Sequence, residues 1–275
     1  MKPEQVAALV AKFPAPSPLD GKLAEPDKAA MDAALAELVR GDREAVTGLV
    51  SLLAKSGDNR IRHALHALAT HVCGLKNEAK RREFAEALGD TLGGKVPPEV
   101  RQFVVRTLQL VGGPEVAAIL GGQLLDPTYG EDAALALVAV RTGAAEQFRA
   151  ALGKATGKQR VTIVQALGRL RDAAAAEVLR PLMTDENRDV RLAAGWALAQ
   201  IGDAASAESL LKAADATGYE RVQATNSCLQ LAENLVAAGK KADATRIYTR
   251  LFDTRTDASD SHVRDAASRG LTSAG

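Results

Sequence analysis

A helix–turn–helix unit recurs along most of this 275-residue chain, and the repetition constrains the fold more than any other feature. The clearest copy runs from residue 177 to residue 203, where a short apolar helix, a polar turn at 184–187 and a second apolar helix follow one another. An internal repeat of about 30 to 40 residues is typical of solenoid proteins, in which each unit packs on its neighbours. We therefore predict an all-α chain built as a stack of helix pairs.

The second helices share a register that starts, in most copies, at an arginine. After Arg191, small or apolar residues follow at positions 194, 197, 198 and 201, which lie on one helix face. Comparable registers start at Ile61, Arg101, Asp132, Arg160, Arg221 and Arg264. A shorter apolar helix precedes each of them, for example at 115–125 and at 175–183, so the sequence predicts about seven helix pairs.

This second helix resembles the HEAT-repeat family, whose second helix typically reads Asp-x-x-Val-Arg-x-x-Ala-x-x-Ala-Leu-x-x-Ile-Gly. The matching residues are Val190, Arg191, Ala194, Ala197, Leu198, Ile201, Gly202 and Asp203. The copy at 262–275 matches nearly as well, and the resemblance covers roughly residues 42 to 275. It implies an α-solenoid with a right-handed superhelix, whose second helices line the concave side. The chain also looks like bacterial HEAT-repeat domain proteins, or HEAT segments of larger multidomain proteins.

The two ends of the chain differ from the repeats. Residues 1–41 are predicted to form an N-terminal helical cap, in which two helices flank a Pro-rich connector at 14–26 and Asp27 caps the second helix. The repeat array is predicted to span 42–275. Because Gly275 follows the last second helix directly, we expect the last pair to associate with another chain or to continue into a longer protein.

Composition limits the classes of function. The 35 basic and 34 acidic residues balance, so we expect no nucleic-acid partner. No apolar run is long enough to span a membrane, and no signal peptide is evident. Cys73 and Cys228 lie several repeats apart and are expected to stay reduced and buried. These features favour the cytoplasm, although a chain whose leader had been removed would look the same.

No catalytic constellation is evident in the sequence. His63 and His66 have the His-x-x-His spacing of some metal sites, but the register directs His66 and His71 to different faces. We therefore expect no metal and no cofactor. The recurring arginines admit two interpretations: a row that binds an anionic ligand, or a structural ladder bonded to nearby loop groups, with Asp189 and Asp260 as candidate partners.

A binding surface is predicted from the angular position of Trp196, about 160° around the helix from the core residue Ala194. Equivalent positions, and those one turn later, define a mixed polar strip. This strip consists of Arg106, Gln165, Arg169, Trp196, Gln200, Asn226 and Gln230. Such a composition is typical of peptide-binding surfaces. The alternative is a solvated strip whose tryptophan packs on an adjacent loop.

The leading hypothesis is a non-enzymatic scaffold that binds a protein, a peptide or another domain of its parent chain on the concave strip. The alternative from another class is an enzyme or enzyme subunit on a HEAT platform, resembling the bilin lyases or the DNA glycosylases. A third hypothesis is a structural spacer whose strip binds nothing.

Overall fold

The computed structural model describes residues 1–14, 25 and 27–275, and all regular structure in this part of the chain is helical. Two helices, α1 (Pro3–Val10) and α2 (Lys28–Arg40), precede the repeats. Seven pairs follow: α3 (Asp42–Ser56) with α4 (Asn59–Gly74), α5 (Glu78–Asp90) with α6 (Pro98–Val111), α7 (Ala117–Gly121) with α8 (Gly130–Val140), α9 (Ala144–Leu152) with α10 (Gly157–Arg169), α11 (Ala176–Leu179) with α12 (Arg188–Ile201), α13 (Ala207–Ala213) with α14 (Gly218–Ala237), and α15 (Lys241–Thr254) with α16 (Ser261–Ala274). The predicted all-α, helical-repeat class is confirmed.

Side-chain caps determine where several helices begin. The carboxylate of Asp27 accepts a hydrogen bond from the backbone N–H of Ala30 at 3.0 Å, as predicted. Asn187 accepts one from the N–H of Asp189 at 2.8 Å and starts α12. The same helix ends at Gly202, whose φ of 77° lies in the left-handed region that favours glycine. The polar turn at 184–187 therefore fixes where α12 begins.

Two first helices are shorter than predicted. The helix expected at 115–125 is a 3₁₀ turn at Pro114–Val116 followed by α7, which ends at the glycine pair 121–122. The helix expected at 175–183 is a short α11 between two 3₁₀ turns. Pro181 lies in the second turn and has no N–H to donate, so it cannot continue an α-helical hydrogen-bond pattern.

The chain forms two compact units, an N-terminal unit at Met1–Gln147 and a C-terminal unit at Phe148–Gly275. In the N-terminal unit, α1 packs on α3 and α2 packs on α4. The predicted division into a cap at 1–41 and an array at 42–275 stays a prediction, and most of the Pro-rich connector lies outside the described residues. None of the described helices is long and apolar enough to cross a membrane.

In the C-terminal unit the second helices α10, α12 and α14 pack side by side. The residues predicted for the core face of α12 are buried: Val190, Ala194, Ala197 and Leu198. Within the N-terminal unit the register of α8 was wrong. Leu135, predicted to be in the core, is 45% exposed, whereas Leu137 is fully buried. Alternating alanines and leucines gave this helix two plausible apolar faces.

Candidate functional site

The recurring arginines form a ladder, and three of them, Arg160, Arg191 and Arg221, each link a helix pair of the C-terminal unit to the next. Arg160 donates to the carbonyl of Ala155 in its own turn at 2.9 Å and to the carboxylate of Asp185 in the following turn at 3.0 Å. Arg191 donates to the Asp185 carbonyl at 2.9 Å and to the carboxylate of Glu220, in the next pair, at 2.5 Å. These contacts satisfy the guanidinium groups within the protein, which fits a structural role.

Other members of the ladder vary this pattern. Arg101 donates to the carbonyl of Leu92 at 2.7 Å. Arg221 pairs with both carboxylate oxygens of Asp260, and this hydrogen bonding raises the pKa of Arg221. Asp260 therefore accepts hydrogen bonds from a ladder arginine, the role for which it was a candidate. Asp189 does not have this role. Its carboxylate lies 3.4 Å from the guanidinium of its neighbour Arg188, because helix α12 directs it away from the turn that holds Arg191.

The strip predicted from the sequence is divided between the two units. Arg106 belongs to the N-terminal unit, where its Nε donates to the Asp132 carboxylate at 2.9 Å. The same carboxylate accepts from Gln102 at 2.7 Å, so this arginine stabilises contact between α6 and α8. The six other strip residues lie on α10, α12 and α14 of the C-terminal unit.

An open cavity of about 420 Å³ lies on the exposed face of these three helices. We call it the first cavity. It is lined by Val161, Gln165, Arg169, Asp189, Leu192, Ala193, Trp196, Tyr219 and Gln223. Three strip residues, Gln165, Arg169 and Trp196, thus come together. The volume falls within the range of about 300 to 1,000 Å³ that is usual for ligand-binding clefts.

The indole of Trp196 forms the fixed wall of the first cavity. The side chain is half-buried and lies against Gly168 of α10, where the absence of a β-carbon makes room for the ring. Trp196 therefore packs on a neighbouring helix. One face of a large aromatic ring remains available beside polar groups, an arrangement that interfaces favour.

Opposite charges lie at the edge of the first cavity. Arg169 is exposed and has no hydrogen-bond or ion-pair partner among the described residues. Asp189 is also exposed, with only the long contact to Arg188. The ring of Tyr219 is 62% exposed, and the guanidinium of Arg188 lies 6.0 Å from its centre. The cavity therefore offers an aromatic wall, a free cation and an exposed carboxylate.

Sequence reasoning missed several lining residues, although a simple signal marks some of them. Val161 and Leu192 line the cavity, and each directly follows a ladder arginine. Val222, which follows Arg221, is 53% exposed on the adjacent helix. The position after the arginine is therefore apolar in the three successive helices α10, α12 and α14, whereas Gln102 and Asp265 follow Arg101 and Arg264. No such pattern predicted Tyr219 or Gln223.

The remaining strip residues lie further along the same helices and outside the first cavity. Gln200 is one turn beyond Trp196 on α12, while Asn226 and Gln230 extend the face of α14. Asn226 is exposed, and the two glutamines are half-buried. They continue the polar surface from the cavity toward the C-terminal ends of both helices.

The histidine and cysteine cluster of α4 does not form a metal site in the structure. The described residues contain no group of three potential ligands close enough to hold a metal ion. His63 instead packs edge to face on Phe13, with 5.9 Å between ring centres. His66 is exposed. The expected burial was wrong for Cys73, which is exposed near the end of α4, and holds for Cys228.

The chain matches one known family in part. Residues 145–230 match the family model described as HEAT repeats. The comparison with curated proteins gave no match.

Solved structures share the fold at low sequence identity. An engineered protein is 19% identical, with a TM-score of 0.51, and the match covers 98% of this chain and 77% of that one. The karyopherin Kap121p, bound to the extreme C-terminus of the protein phosphatase Cdc14p, is 13% identical with a TM-score of 0.51. That match covers 89% of this chain but only 32% of Kap121p.

The complex of CpcE and CpcF of phycocyanin lyase from Nostoc sp. PCC7120 also resembles this chain, at 18% identity and a TM-score of 0.41. The match covers 84% of this chain and 94% of that one.

Proposed function

We propose that this HEAT-repeat protein is a non-enzymatic scaffold that binds a peptide or a protein, or another domain of its parent chain, on the exposed face of α10, α12 and α14. The observation that carries the proposal is the first cavity, which brings Gln165, Arg169 and Trp196 together beside Tyr219. The strip continues through Gln200, Asn226 and Gln230.

The chemistry of the first cavity suits recognition of a polypeptide. Trp and Tyr supply large contact areas at low entropic cost, and arginine is enriched among residues that dominate binding energy. Glutamine side chains at the cavity, Gln165 and Gln223, can both donate to carbonyls and accept from N–H groups of an extended backbone. Arg169 and Asp189 add charged groups that can select the partner and its orientation.

A likeness of fold supports the same kind of partner. Kap121p, a repeat protein with a TM-score of 0.51, is bound in its solved structure to the C-terminus of another protein. This chain spans about a third of Kap121p, so the likeness supports a polypeptide partner without indicating which one.

The geometry gives less support to the enzyme alternatives. A glycosylase-like or lyase-like site needs reactive groups held in a water-excluding pocket. In the first cavity the only carboxylate is Asp189, which is exposed and open to solvent. Its lining includes no histidine or cysteine.

The test is affinity capture from a lysate of the source organism with matched variants as baits. Tyr219→Ser removes an exposed ring from the first cavity, so folding should be unaffected. Val178→Ser removes a comparably exposed apolar side chain from α11, outside that cavity. Trp196→Ala is a third bait, checked for folding by circular dichroism.

We expect a protein that is captured by the unchanged chain and by Val178→Ser but is lost with Tyr219→Ser. Its direct binding is then measured with the purified partner, where the same order of affinities is expected. Equal capture by all baits would place the interaction elsewhere. Absence of any specific partner would favour the structural spacer.

A further inference from the structure

A second cavity of about 370 Å³ lies between the fifth and sixth helix pairs, within the C-terminal unit. Its apolar lining consists of Met183, Leu192, Leu210, Ala213, Ala216 and Ala224. Apolar surface predominates over polar surface in this lining. The cavity therefore suits an apolar group better than a polar one.

Small residues line this space. Gly195 of α12 allows Leu210 of α13 to approach closely, since a β-carbon at position 195 would lie 3.1 Å from the leucine Cδ2. Ala213 and Ala216, which are both half-buried, leave the rest of the gap unfilled. Core packing normally fills such gaps, because each missing contact forfeits dispersion energy. An occupant from outside the chain would restore those contacts.

The second cavity adjoins the first. Leu192 and Gln223 line both of them. A peptide bound against Trp196 and Tyr219 would therefore lie next to the second cavity. This shared lining argues for one extended occupant of both cavities.

Charge at the opening indicates what accompanies the apolar group. Arg180 is held by the Asp203 carboxylate through two hydrogen bonds of 2.8 Å, and Arg191 is held by Glu220. Lys212 is exposed and has no hydrogen-bond or ion-pair partner among the described residues. This lysine is the free cation of the second cavity, and it is complementary to an acidic group.

We propose that the second cavity binds an apolar side chain, of the size of leucine, methionine or phenylalanine, from a peptide that lies on the first cavity. Lys212 pairs with an aspartate or glutamate next to that side chain. The inference rests on the proposed function and specifies the chemistry of its partner: a peptide with an apolar residue beside an acidic one.

The test is selection from a random 12-residue peptide library displayed on phage, with the full chain as target. Enriched peptides are synthesised with a fluorophore, and their affinities are measured by fluorescence polarisation. Ala213→Phe fills the second cavity, and Ala242→Phe places the same ring on an exposed site of α15 as its control. Lys212→Glu tests the charge without altering the buried surface.

We expect the enriched peptides to share an apolar residue next to Asp or Glu. Ala213→Phe should weaken their binding about tenfold or more, as loss of a central anchor does, while Ala242→Phe leaves it unchanged. Lys212→Glu should weaken binding several-fold, and replacing the peptide's acidic residue by Lys should restore it.

The outcomes separate the inference from the function on which it rests. Peptides that need Tyr219 but lack the apolar–acidic pair and ignore both Ala213→Phe and Lys212→Glu would overturn the inference alone. Peptides whose affinity is unchanged by Tyr219→Ser but reduced by Ala213→Phe would show that the second cavity binds its ligand separately. This result would overturn the inference that one peptide occupies both cavities. A library that yields no specific peptide would contradict both proposals.

Discussion

Gly168 lies directly beneath the indole ring of Trp196. A β-carbon at position 168 would be 2.7 Å from Cζ3 of the ring and 2.8 Å from Cα of Ala197, both closer than atoms in folded proteins normally approach. The tryptophan that forms the wall of the first cavity is therefore positioned by a missing side chain on the neighbouring helix.

Replacing Gly168 by alanine should destabilise the chain by about 1 to 3 kcal/mol, the usual cost of overpacking a filled contact. The sign of this change in stability is informative, because a Gly→Ala replacement within a helix normally stabilises a protein by about 0.5 to 1 kcal/mol. Urea denaturation measures the change, and the emission of the only tryptophan reports displacement of the ring. Gly153→Ala is the control, since nothing lies within 4 Å of its added carbon. Increased stability with unchanged emission would refute the contact.

Truncation of Leu198 to alanine should reduce the free energy of unfolding by about 2 to 5 kcal/mol, as for other buried leucines. Leu198 is fully buried in α12. The same truncation of Leu135, which is 45% exposed in α8, should cost far less. Both variants are compared in the same denaturation experiment. Equal losses for the two would mean that the burial pattern of one helix is wrong.

The two cysteines should differ in reactivity. Burial raises the pKa of the Cys228 thiol to about 12, so about one molecule in ten thousand is thiolate at pH 8. Cys73 is exposed. Ellman's reagent should therefore modify one thiol rapidly in the native chain and two in urea. Mass spectrometry assigns the modified residue, and rapid modification of both in the native state would contradict the burial of Cys228.

Glu115 should make stability depend on pH in the acid range. Burial opposes ionisation of its carboxyl, but hydrogen bonds from Arg81 and from the backbone of Gly113 prevail and lower its pKa below the ordinary 4.5. Because the folded pKa is the lower one, the stabilisation is present above about pH 4.5 and is lost as pH falls through the folded value.

Glu115→Gln should therefore cost about 1 to 3 kcal/mol at pH 7 and progressively less below pH 4, where the two proteins converge. Denaturation at a series of pH values measures the difference. Glu78→Gln is the control: it removes the other carboxylate that contacts Arg81, but that side chain is 76% exposed, so little change is expected. A difference that stays constant down to pH 3 would exclude the ionised pair as its cause.

The fold was predictable because the same pattern of apolar residues recurs in successive helix pairs. The register counted from Arg191 placed Ala194, Ala197 and Leu198 correctly in the core. The register failed in α8. Asp132 takes the position that an arginine has in most other copies, and its carboxylate accepts hydrogen bonds from Gln102 and Arg106. In a helix rich in alanine, the faces differ too little in hydrophobicity for the sequence to correct such an error.

The candidate site was predictable only where it follows the repeat. Gln165 and Trp196 occupy equivalent positions of successive helices, and both line the first cavity. Tyr219 lines it because α14 begins beside α12, a relation between helices that no spacing within one helix reveals. The second cavity is lined by small residues such as Gly195 and Ala213. The sequence does not show which small residues face one another across helices.

The arginine ladder has a consequence for how such a chain can change in length. Asp185 receives Arg160 from the preceding pair through its carboxylate and Arg191 of its own pair through its carbonyl. The fourth, fifth and sixth helix pairs thus each carry an arginine that bonds to the following pair, and the fifth, sixth and seventh pairs carry its acceptor. A gene duplication that copies the fifth or the sixth pair therefore inserts a segment that already holds both an arginine for the pair that follows and an acceptor for the pair that precedes. These two bonds need no compensating mutation at either new junction.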